Sequence, residues 1–224
     1  VNLETASEHR RTDVEQVNLG GLTPTYLVSK RCFDVAASFI GLVLLSGVFL
    51  VLAVLIKLDD PHGKVFYSQT RLGKDGRRFQ MWKFRSMVAG ADKMVDKLLK
   101  KNDVDGAMFK IKQDPRVTRI GRVIRKYSLD ELPQLFNVLR GDMSLVGPRP
   151  PLPREVVKYT EYDRQRLAVV PGVTGLWQVS GRNELGFDEM VALDIHYINH
   201  ASVAEDFRIL FKTILVVIHP TGAY

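Results

Sequence analysis

Two adjacent carboxylates, Asp130 and Glu131, are the residues of this chain best suited to chemistry. They stand at the start of a short segment in which apolar residues recur at helical spacing. A run of arginines that includes Arg125 precedes them, and Arg149 follows between two prolines. Acids among fixed cations are what phosphoryl transfer with a divalent metal requires, because cations neutralise phosphate oxygens while a carboxylate can attack phosphorus.

A purely structural role is the alternative for the same acids. Ser128 and Glu131 have the spacing of a capping box, and acids in a first helical turn interact favourably with the helix dipole. Pro133 counts against a helix that starts at Ser128, because its ring would fall beyond the tolerated first turn. A cap and a catalytic role are compatible, so the spacing alone leaves both open.

Composition limits the class of protein. The 224 residues suffice for one medium domain, or for one domain with a membrane anchor. Lys and Arg number 32 against 25 Asp and Glu, a net charge of +7, and the excess lies after Ile56. A basic body indicates a polyanionic partner, and the absence of zinc-finger, RNP and basic-zipper patterns disfavours nucleic acid. Cys32 is the only cysteine, which excludes intrachain disulfides and cysteine metal sites.

An apolar segment precedes the basic body. Val35–Ile56 carries no charge, and as a straight helix it would be about 33 Å long, close to the hydrocarbon thickness of a bilayer. Its length disfavours the alternative of a buried helix in a soluble protein. Residues 1–29, which are polar and lack periodicity, are predicted to form an arm or linker.

Cations flank the apolar segment on both sides. Lys30 and Arg31 precede it, while Lys57 and Lys64 follow it. The positive-inside rule places both flanks in the cytoplasm, which a single span cannot satisfy. A bend at Ser46-Gly47 would resolve the conflict, so a re-entrant hairpin is favoured.

The rest of the chain is predicted to form short strands and helices. Residues 64–87 are predicted to form a β-hairpin that ends in Lys83-Phe-Arg85, either a solvated strand end or a phosphate contact. Helices are predicted at Lys93–Lys101, Asp114–Tyr127, Asp188–Asn199 and Asp206–Ile218, and a structured glycine-rich loop at Pro171–Arg182.

Six motifs occur together and in order. They are Lys30-Arg31-x-Phe33-Asp34, Lys83-Phe-Arg-Ser-Met87, Asp114-Pro-Arg116, Ser128-Leu-Asp-Glu-Leu-Pro-Gln134, Gly147-Pro-Arg-Pro150 and Pro171-Gly-Val-Thr-Gly175. In this combination the chain resembles the bacterial sugar transferase family, the monotopic polyprenyl-phosphate phosphoglycosyl transferases. The resemblance implies an α+β, mostly helical fold. It divides the chain into an arm (1–29), a re-entrant membrane hairpin (30–57) and a cytosolic, membrane-associated catalytic domain with a small β-hairpin (58–224).

The resemblance also implies an activity. Members transfer a sugar-1-phosphate from a UDP-sugar to undecaprenyl phosphate, release UMP and so initiate polysaccharide synthesis, with Mg²⁺ as cofactor. The expected location is the cytoplasmic face of the bacterial inner membrane, in contact with membrane lipids. The resemblance leaves open whether the protein forms a homo-oligomer. The segment Trp177–Asn183 looks more like that of members using hexoses, so galactose or glucose is expected.

Residue roles follow from the same resemblance. Asp130 matches the nucleophile that forms a covalent phosphosugar intermediate, Glu131 matches its partner, and both are candidate Mg²⁺ ligands. Further candidates for substrate binding are Lys83, Arg85, Asp114, Arg125, Asn137, Arg149 and Asp194. The chain departs from the family at Gly47, where a proline usually follows the serine. Glycine permits the bend without enforcing it.

Two other functions compete with the transferase. A membrane-anchored adaptor could bind anionic lipid through its basic face, but it would have no need of adjacent carboxylates among arginines. A metal-dependent nucleotide-sugar hydrolase would release UMP without any lipid acceptor.

Overall fold

A computed structural model describes residues 17–94, 114–181 and 185–218 of the chain. Within these ranges the protein is mostly helical, with two small two-stranded sheets, as the predicted α+β class requires. Most of the predicted amphipathic helix Lys93–Lys101 lies outside the described residues, as do Arg182, which ends the predicted glycine-rich loop, and Asn183, which ends the Trp177–Asn183 segment.

Two consecutive helices contain the apolar segment. Helix α1 is Pro24–Leu44 and helix α2 is Ser46–Asp59, and their axes are bent by 60°. The break falls at Leu45, one residue before the predicted Ser46-Gly47. No single helix among the described residues has both the length and the hydropathy of a membrane span, whereas this bent pair meets both criteria jointly.

Helix α1 begins earlier than the apolar run. Thr23 caps it by accepting a hydrogen bond from the backbone N–H of Tyr26, and Pro24 occupies the first turn, where a missing N–H costs nothing. The last six residues of the predicted arm are therefore helical.

The predicted β-hairpin is confirmed. Strands β1 (Phe66–Leu72) and β2 (Arg78–Phe84) pair antiparallel, with Tyr67 opposite Lys83. The turn between them needs left-handed backbone at Asp75 and Gly76, with φ of 54° and 73°.

The rest of the chain forms short elements. Helix α3 is Arg119–Lys126, which starts five residues later than the sequence predicts, at a cap formed by Thr118. The elements after it are α4 (Gln134–Arg140), β3 (Ser144–Val146), α5 (Pro153–Val156), α6 (Glu161–Arg164), β4 (Gly172–Thr174), α7 (Phe187–Asn199) and α8 (Val203–Ile218).

Strands β3 and β4 form a short parallel sheet in which the two backbones approach closely. A Cβ atom at Gly172 would lie 2.1 Å from the backbone nitrogen of Gly147. Only glycine fits at this close approach. The segment predicted as a loop, residues 171–182, therefore differs from the prediction: its first part is strand β4, which packs against the Gly147–Pro150 motif.

The helix pair is built into the hydrophobic core. Leu52 and Ile56 of α2 pack with Phe84 of β2 and Ile124 of α3. Burying each such side chain contributes about 1.5–3 kcal/mol, so α2 and the hairpin that carries Lys83 form one packed unit.

Polar contacts hold the start of α1 against the same body. Lys30 Nζ lies 2.8 Å from Asp206 Oδ2 on α8. Arg31 donates to the carbonyls of Val138 and Leu139, at 2.6 and 2.8 Å, where α4 ends. The Val138 carbonyl also accepts from the backbone N–H of Gly141 at 3.0 Å. A guanidinium at this carboxyl end of α4 adds a further donor and complements the helix dipole.

Candidate active site

The two adjacent acids lie in a single turn of 3-10 helix, Leu129–Glu131, between α3 and α4. Ser128 directly before it has left-handed backbone, with φ of 56°, and its side chain makes no capping hydrogen bond. The capping-box interpretation is therefore wrong, and α4 starts only after Pro133. Left-handed backbone at a residue other than glycine costs about 1–3 kcal/mol, and such residues cluster at active sites and switch regions.

Lys83 contacts the acid pair from the end of β2. Its Nζ lies 2.6 Å from Glu131 Oε1, and both side chains are about one quarter exposed. Asp130 is only 8% exposed. Its burial raises its pKa to about 6, because desolvation and the charge of Glu131 outweigh the attraction of Lys83 and Arg125. The turn thus places one buried acid directly beside a paired one.

Asn137 positions the strand rather than lining a cavity. Its Nδ2 donates to the carbonyl of Gln80 at 2.7 Å, and its Oδ1 accepts from the backbone N–H of Trp82 at 3.0 Å. The side chain is fully buried on α4. It therefore ties α4 to the residue immediately before Lys83 and aligns the lysine with Glu131.

Arg85 is likewise directed away from the acid pair. Its guanidinium forms an ion pair with Asp60 and donates to the Asp60 carbonyl at 2.7 Å. This contact joins the end of β2 to the end of α2. Of the two cations in Lys83-Phe-Arg85, the structure places only Lys83 against the acid pair.

A cationic pocket of about 130 Å³ adjoins Glu131. Three cations, Arg71, Lys83 and Arg149, line it, and Glu131 is its one acidic residue. Its remaining lining residues are Met81, Gln134, Pro150, Gly172, Val173, Trp177 and Gln178. The excess of positive charge suits an anionic ligand with several phosphate oxygens.

Arg71 is a site residue that the sequence analysis missed. It is 6% exposed, donating through Nη1 to the carbonyl of Pro150 at 3.0 Å and through Nη2 to Gln69 Oε1 at 2.8 Å. Burial, with the nearby charge of Arg149, lowers its pKa to about 9. No local signal distinguishes it from the exposed cations of the same hairpin, because its burial depends on a contact across 79 residues.

Asp114 and Arg125 lie on the other side of the acid turn. Asp114 forms an ion pair with Arg116 at 2.6 Å. Burial would raise the pKa of Asp114, but hydrogen bonds from Arg116 keep it below its usual value. Arg125 interacts electrostatically with both Asp114 and Asp130, and its Nη1 is buried without a hydrogen-bond partner among the described residues. Neither Asp114 nor Arg125 lines the cationic pocket.

Asp194 lies behind Arg149. It is 1% exposed on α7 and forms an ion pair with Arg166, which also donates to the carbonyl of Arg149 at 3.3 Å. Burial disfavours the charge of Arg166, but the Asp194 carboxylate outweighs this and raises the pKa of Arg166. The structure therefore places Asp194 among the groups that hold Arg149, not among those that line the pocket.

An apolar cavity of about 190 Å³ lies on the other side of Glu131. Its walls come from the acid turn, the start of α4, the segment after β4 and the end of α8. The lining residues are Ser128, Glu131, Leu132, Leu135, Val173, Thr174, Gln178, Val179, Thr213, Val216 and Val217. Glu131 thus borders both cavities, whereas Asp130 lines neither.

The acid turn fits a hard divalent cation of the Mg²⁺ type. Asp130 and Glu131 supply carboxylate oxygens, and no cluster of three or more His, Cys, Asp or Glu side chains occurs in the described ranges. Mg²⁺ usually binds through one or two carboxylates together with substrate phosphates and water. The residues present therefore fit a metal held jointly with a phosphate ligand, and they do not form an all-protein cage.

The raised pKa of Asp130 predicts a stability effect. The folded protein binds this proton more tightly than the unfolded chain, so the free energy of unfolding falls as pH rises from the ordinary value of 3.8 towards 6. Near neutral pH the negative charge of buried Asp130 therefore lowers the free energy of unfolding. Asp130→Asn is therefore expected to raise the unfolding temperature of metal-free protein by several degrees at neutral pH, and by much less below about pH 5. Equal shifts at both pH values, measured by thermal unfolding in chelator, would contradict this.

Comparison with known proteins identifies the family. Residues 25–220 match the family described as bacterial sugar transferase. The chain is 47% identical over 200 residues to the galactosyl transferase CpsE of Streptococcus agalactiae serotype III, covering 89% of this chain and 44% of that protein. It is 42% identical over 209 residues to the exopolysaccharide production protein ExoY of Sinorhizobium fredii, covering 92% of each.

A third relative is the undecaprenyl-phosphate galactose phosphotransferase of Salmonella typhimurium, 43% identical over 213 residues, which cover 93% of this chain and 44% of that protein. The chain therefore spans less than half the length of two of these relatives and nearly all of ExoY. The family match covers most of the chain, and the identities exceed 40%. The predicted resemblance is confirmed: the chain belongs to the bacterial sugar transferase family.

Proposed function

We propose that this protein transfers a sugar-1-phosphate from a UDP-sugar to undecaprenyl phosphate, with release of UMP. The observation that carries the proposal is the position of Glu131 between a cationic pocket and an apolar cavity. A nucleotide diphosphate sugar needs cations for its phosphates, and a polyprenyl phosphate needs an apolar surface for its chain. Both substrates must meet at one phosphorus atom, and the acid turn lies where the two cavities adjoin.

The chain's own groups supply the first half of the reaction. An Asp130 carboxylate oxygen forms a bond to the β-phosphorus of the donor, and the bond from that phosphorus to the bridging oxygen breaks. UMP leaves with the electron pair. Because Asp130 is 8% exposed, donor binding must shift the acid turn, and the strained backbone of Ser128 is the point from which it can move.

The second half regenerates the enzyme. A phosphate oxygen of the acceptor attacks the phosphosugar, and the Asp130 carboxylate departs unchanged. Lys83, held on Glu131, stays close to the transferred phosphate in both steps and offsets its charge. Mg²⁺ on Asp130 and Glu131 would neutralise donor phosphate oxygens.

The acceptor chain is assigned to the apolar cavity. A cavity of about 190 Å³ accommodates only the first isoprene units. The end of α8 forms part of its wall, and on the same helix Phe211, Ile214 and Leu215 are roughly half exposed or more. An apolar helix face beside the cavity gives the remaining chain a route to the bilayer.

We propose that α1 and α2 form a re-entrant hairpin in the bacterial inner membrane, with the site on the cytoplasmic side. Support comes from the two ends of the pair, which contact the same body: Lys30 binds Asp206, and Asp59 accepts a hydrogen bond from the backbone N–H of Ile120 at 2.9 Å. Near the bend, Leu44 and Leu50 are about 70% exposed. Polar ends on one body and an apolar bend suit a helix pair that enters and leaves one face of a bilayer.

Cysteine labelling tests this topology. Leu19→Cys and His62→Cys, each in a Cys32→Ser background, place exposed thiols before α1 and after α2. In oriented membrane vesicles both are expected to react with a membrane-impermeant maleimide only when the cytoplasmic face is accessible. Reaction of the two thiols from opposite faces would mean that the pair crosses the membrane.

UMP release tests the reaction. Purified protein with Mg²⁺ and undecaprenyl phosphate is expected to release UMP from a UDP-hexose and to form a lipid-linked sugar diphosphate. An adaptor would release none, and a hydrolase would release UMP at an equal rate without the lipid. A panel of UDP-sugars decides the donor. We propose galactose or glucose, in line with two relatives whose names specify galactosyl or galactose transfer.

A further inference from the structure

Two guanidinium groups share the cationic pocket before any ligand is present. Arg71 and Arg149 both line it, and the charge of Arg149 contributes to the lowered pKa of Arg71. Glu131 and Glu155 offset part of this repulsion. Arg71 is buried and Arg149 is half-buried. Like charges held close together with so little solvent are unfavourable, and an anion between them would relieve the cost.

Arg71 is fixed by the rest of the protein. Its two terminal nitrogens donate to Pro150 and Gln69, whereas its buried Nε has no hydrogen-bond partner among the described residues. A buried charged donor without a partner is costly, so the group is set up to receive an acceptor. The contact with Pro150 also ties the side chain to the residue next to Arg149.

The backbone of Arg149 is fixed from the opposite side. Its N–H donates to Asp194, and its carbonyl accepts from Arg166 at 3.3 Å. Arg166 and Asp194 form a fully buried ion pair and hold no position in the pocket. The Arg149-Pro150 peptide is therefore held between Arg71 and the Arg166–Asp194 pair, which limits how far the two cations can separate.

We propose that Arg71 is a further substrate-binding residue, and that Arg71 and Arg149 form a clamp for the nucleotide phosphate that leaves as UMP. The assignment rests on the proposed function. Neither arginine lines the apolar cavity, so the clamp lies on the side of Glu131 away from the proposed acceptor chain. With the β-phosphate at the acid turn, the nucleotide's α-phosphate falls between the two guanidinium groups. They stabilise the charge that develops on the bridging oxygen as its bond to the β-phosphorus breaks.

The test compares Arg71→Gln with Arg78→Gln, an exposed arginine on the same hairpin. Arg71→Gln is expected to weaken UMP binding, measured by calorimetry, at least about 10-fold and to lower kcat by about 100-fold. The kcat/KM for undecaprenyl phosphate should stay within about twofold of wild type, because that ratio reports the second half-reaction, which does not use the clamp. Arg78→Gln should match wild type in all three measurements. Arg71→Lys, which keeps the charge, should recover part of the UMP affinity and guards against misfolding of the glutamine variant.

Two results would overturn the clamp. One is an unchanged UMP affinity in Arg71→Gln. The other is a fall in kcat/KM for undecaprenyl phosphate in place of the loss of UMP affinity, which would assign the clamp to the acceptor phosphate. Inorganic pyrophosphate separates the clamp from the reaction. If it protects wild type but not Arg71→Gln against thermal unfolding, the anion clamp is supported. Should the same wild-type protein release no UMP from any UDP-sugar, the proposed transfer reaction would fail by itself.

Discussion

Asp130→Asn is expected to lower UMP release from a UDP-sugar by about 10⁴-fold or more, because the amide cannot form the bond to phosphorus on which both half-reactions depend. The substitution keeps the size of the side chain and removes a charge that is costly in the folded state. The loss should therefore occur in a protein at least as stable as wild type at neutral pH. The measurement is UMP formation with and without undecaprenyl phosphate.

Mass spectrometry of the trapped enzyme separates a covalent route from a direct one. Wild type mixed with donor alone should carry one sugar phosphate on the peptide that contains Asp130, and the asparagine variant should carry none. Turnover of Asp130→Asn at a rate near that of wild type would eliminate the covalent route. In that case Lys83, Glu131 and the arginines would have to catalyse direct transfer between bound donor and acceptor.

Arg166→Met is expected to cost about 3–5 kcal/mol of stability, because it leaves the Asp194 carboxylate buried without its partner. It should also lower kcat, since the carbonyl of Arg149 loses one of the groups that hold it. Thermal unfolding and UMP release measure the two effects. Arg208→Met breaks an exposed pair with Glu205 on α8 and should cost about 1 kcal/mol or less.

The double variant Arg166→Met with Asp194→Leu separates two effects: the loss of stability from the unpaired Asp194 charge, and the loss of kcat from a poorly held Arg149. Replacing both partners removes the orphan charge and should restore much of the stability, while the position of Arg149 remains loose and kcat remains low. Recovery of both stability and kcat would mean that the pair acts only through the fold. No loss of stability in the single variant would contradict the buried ion pair itself.

Features that depend on neighbours along the chain could be predicted from the sequence. The hairpin at residues 64–87 and the last two helices have periodicities that tertiary packing reinforces. The acid pair and the cations Lys83 and Arg149 stand in recognisable motifs, and the structure brings Glu131 and both cations to one pocket.

What could not be predicted depends on contacts between distant segments. Arg71 and Arg78 look alike in sequence, but only the first meets the carbonyl of Pro150. Arg85 stands in the same motif as Lys83, and Asn137 follows the acid-pair motif by three residues, yet Asp60 and strand β2 take up their donors. The predicted capping box at Ser128 is absent as well, because this residue has left-handed backbone and its side chain makes no capping hydrogen bond, a geometry that local spacing does not encode.

The docking of α1 limits how the apolar helix pair could be removed or altered by protein engineering. Deleting the apolar helix pair would remove Lys30, the ion-pair partner of Asp206, and would expose the carbonyl end of α4. It would also remove the carboxylate of Asp34, which accepts a hydrogen bond from the backbone N–H of Leu145 at 3.0 Å. It would also uncover Phe84 and Ile124. Solubility is better sought by replacing outward-facing side chains near the bend, such as Leu44 and Leu50, with polar ones while both helices stay in place.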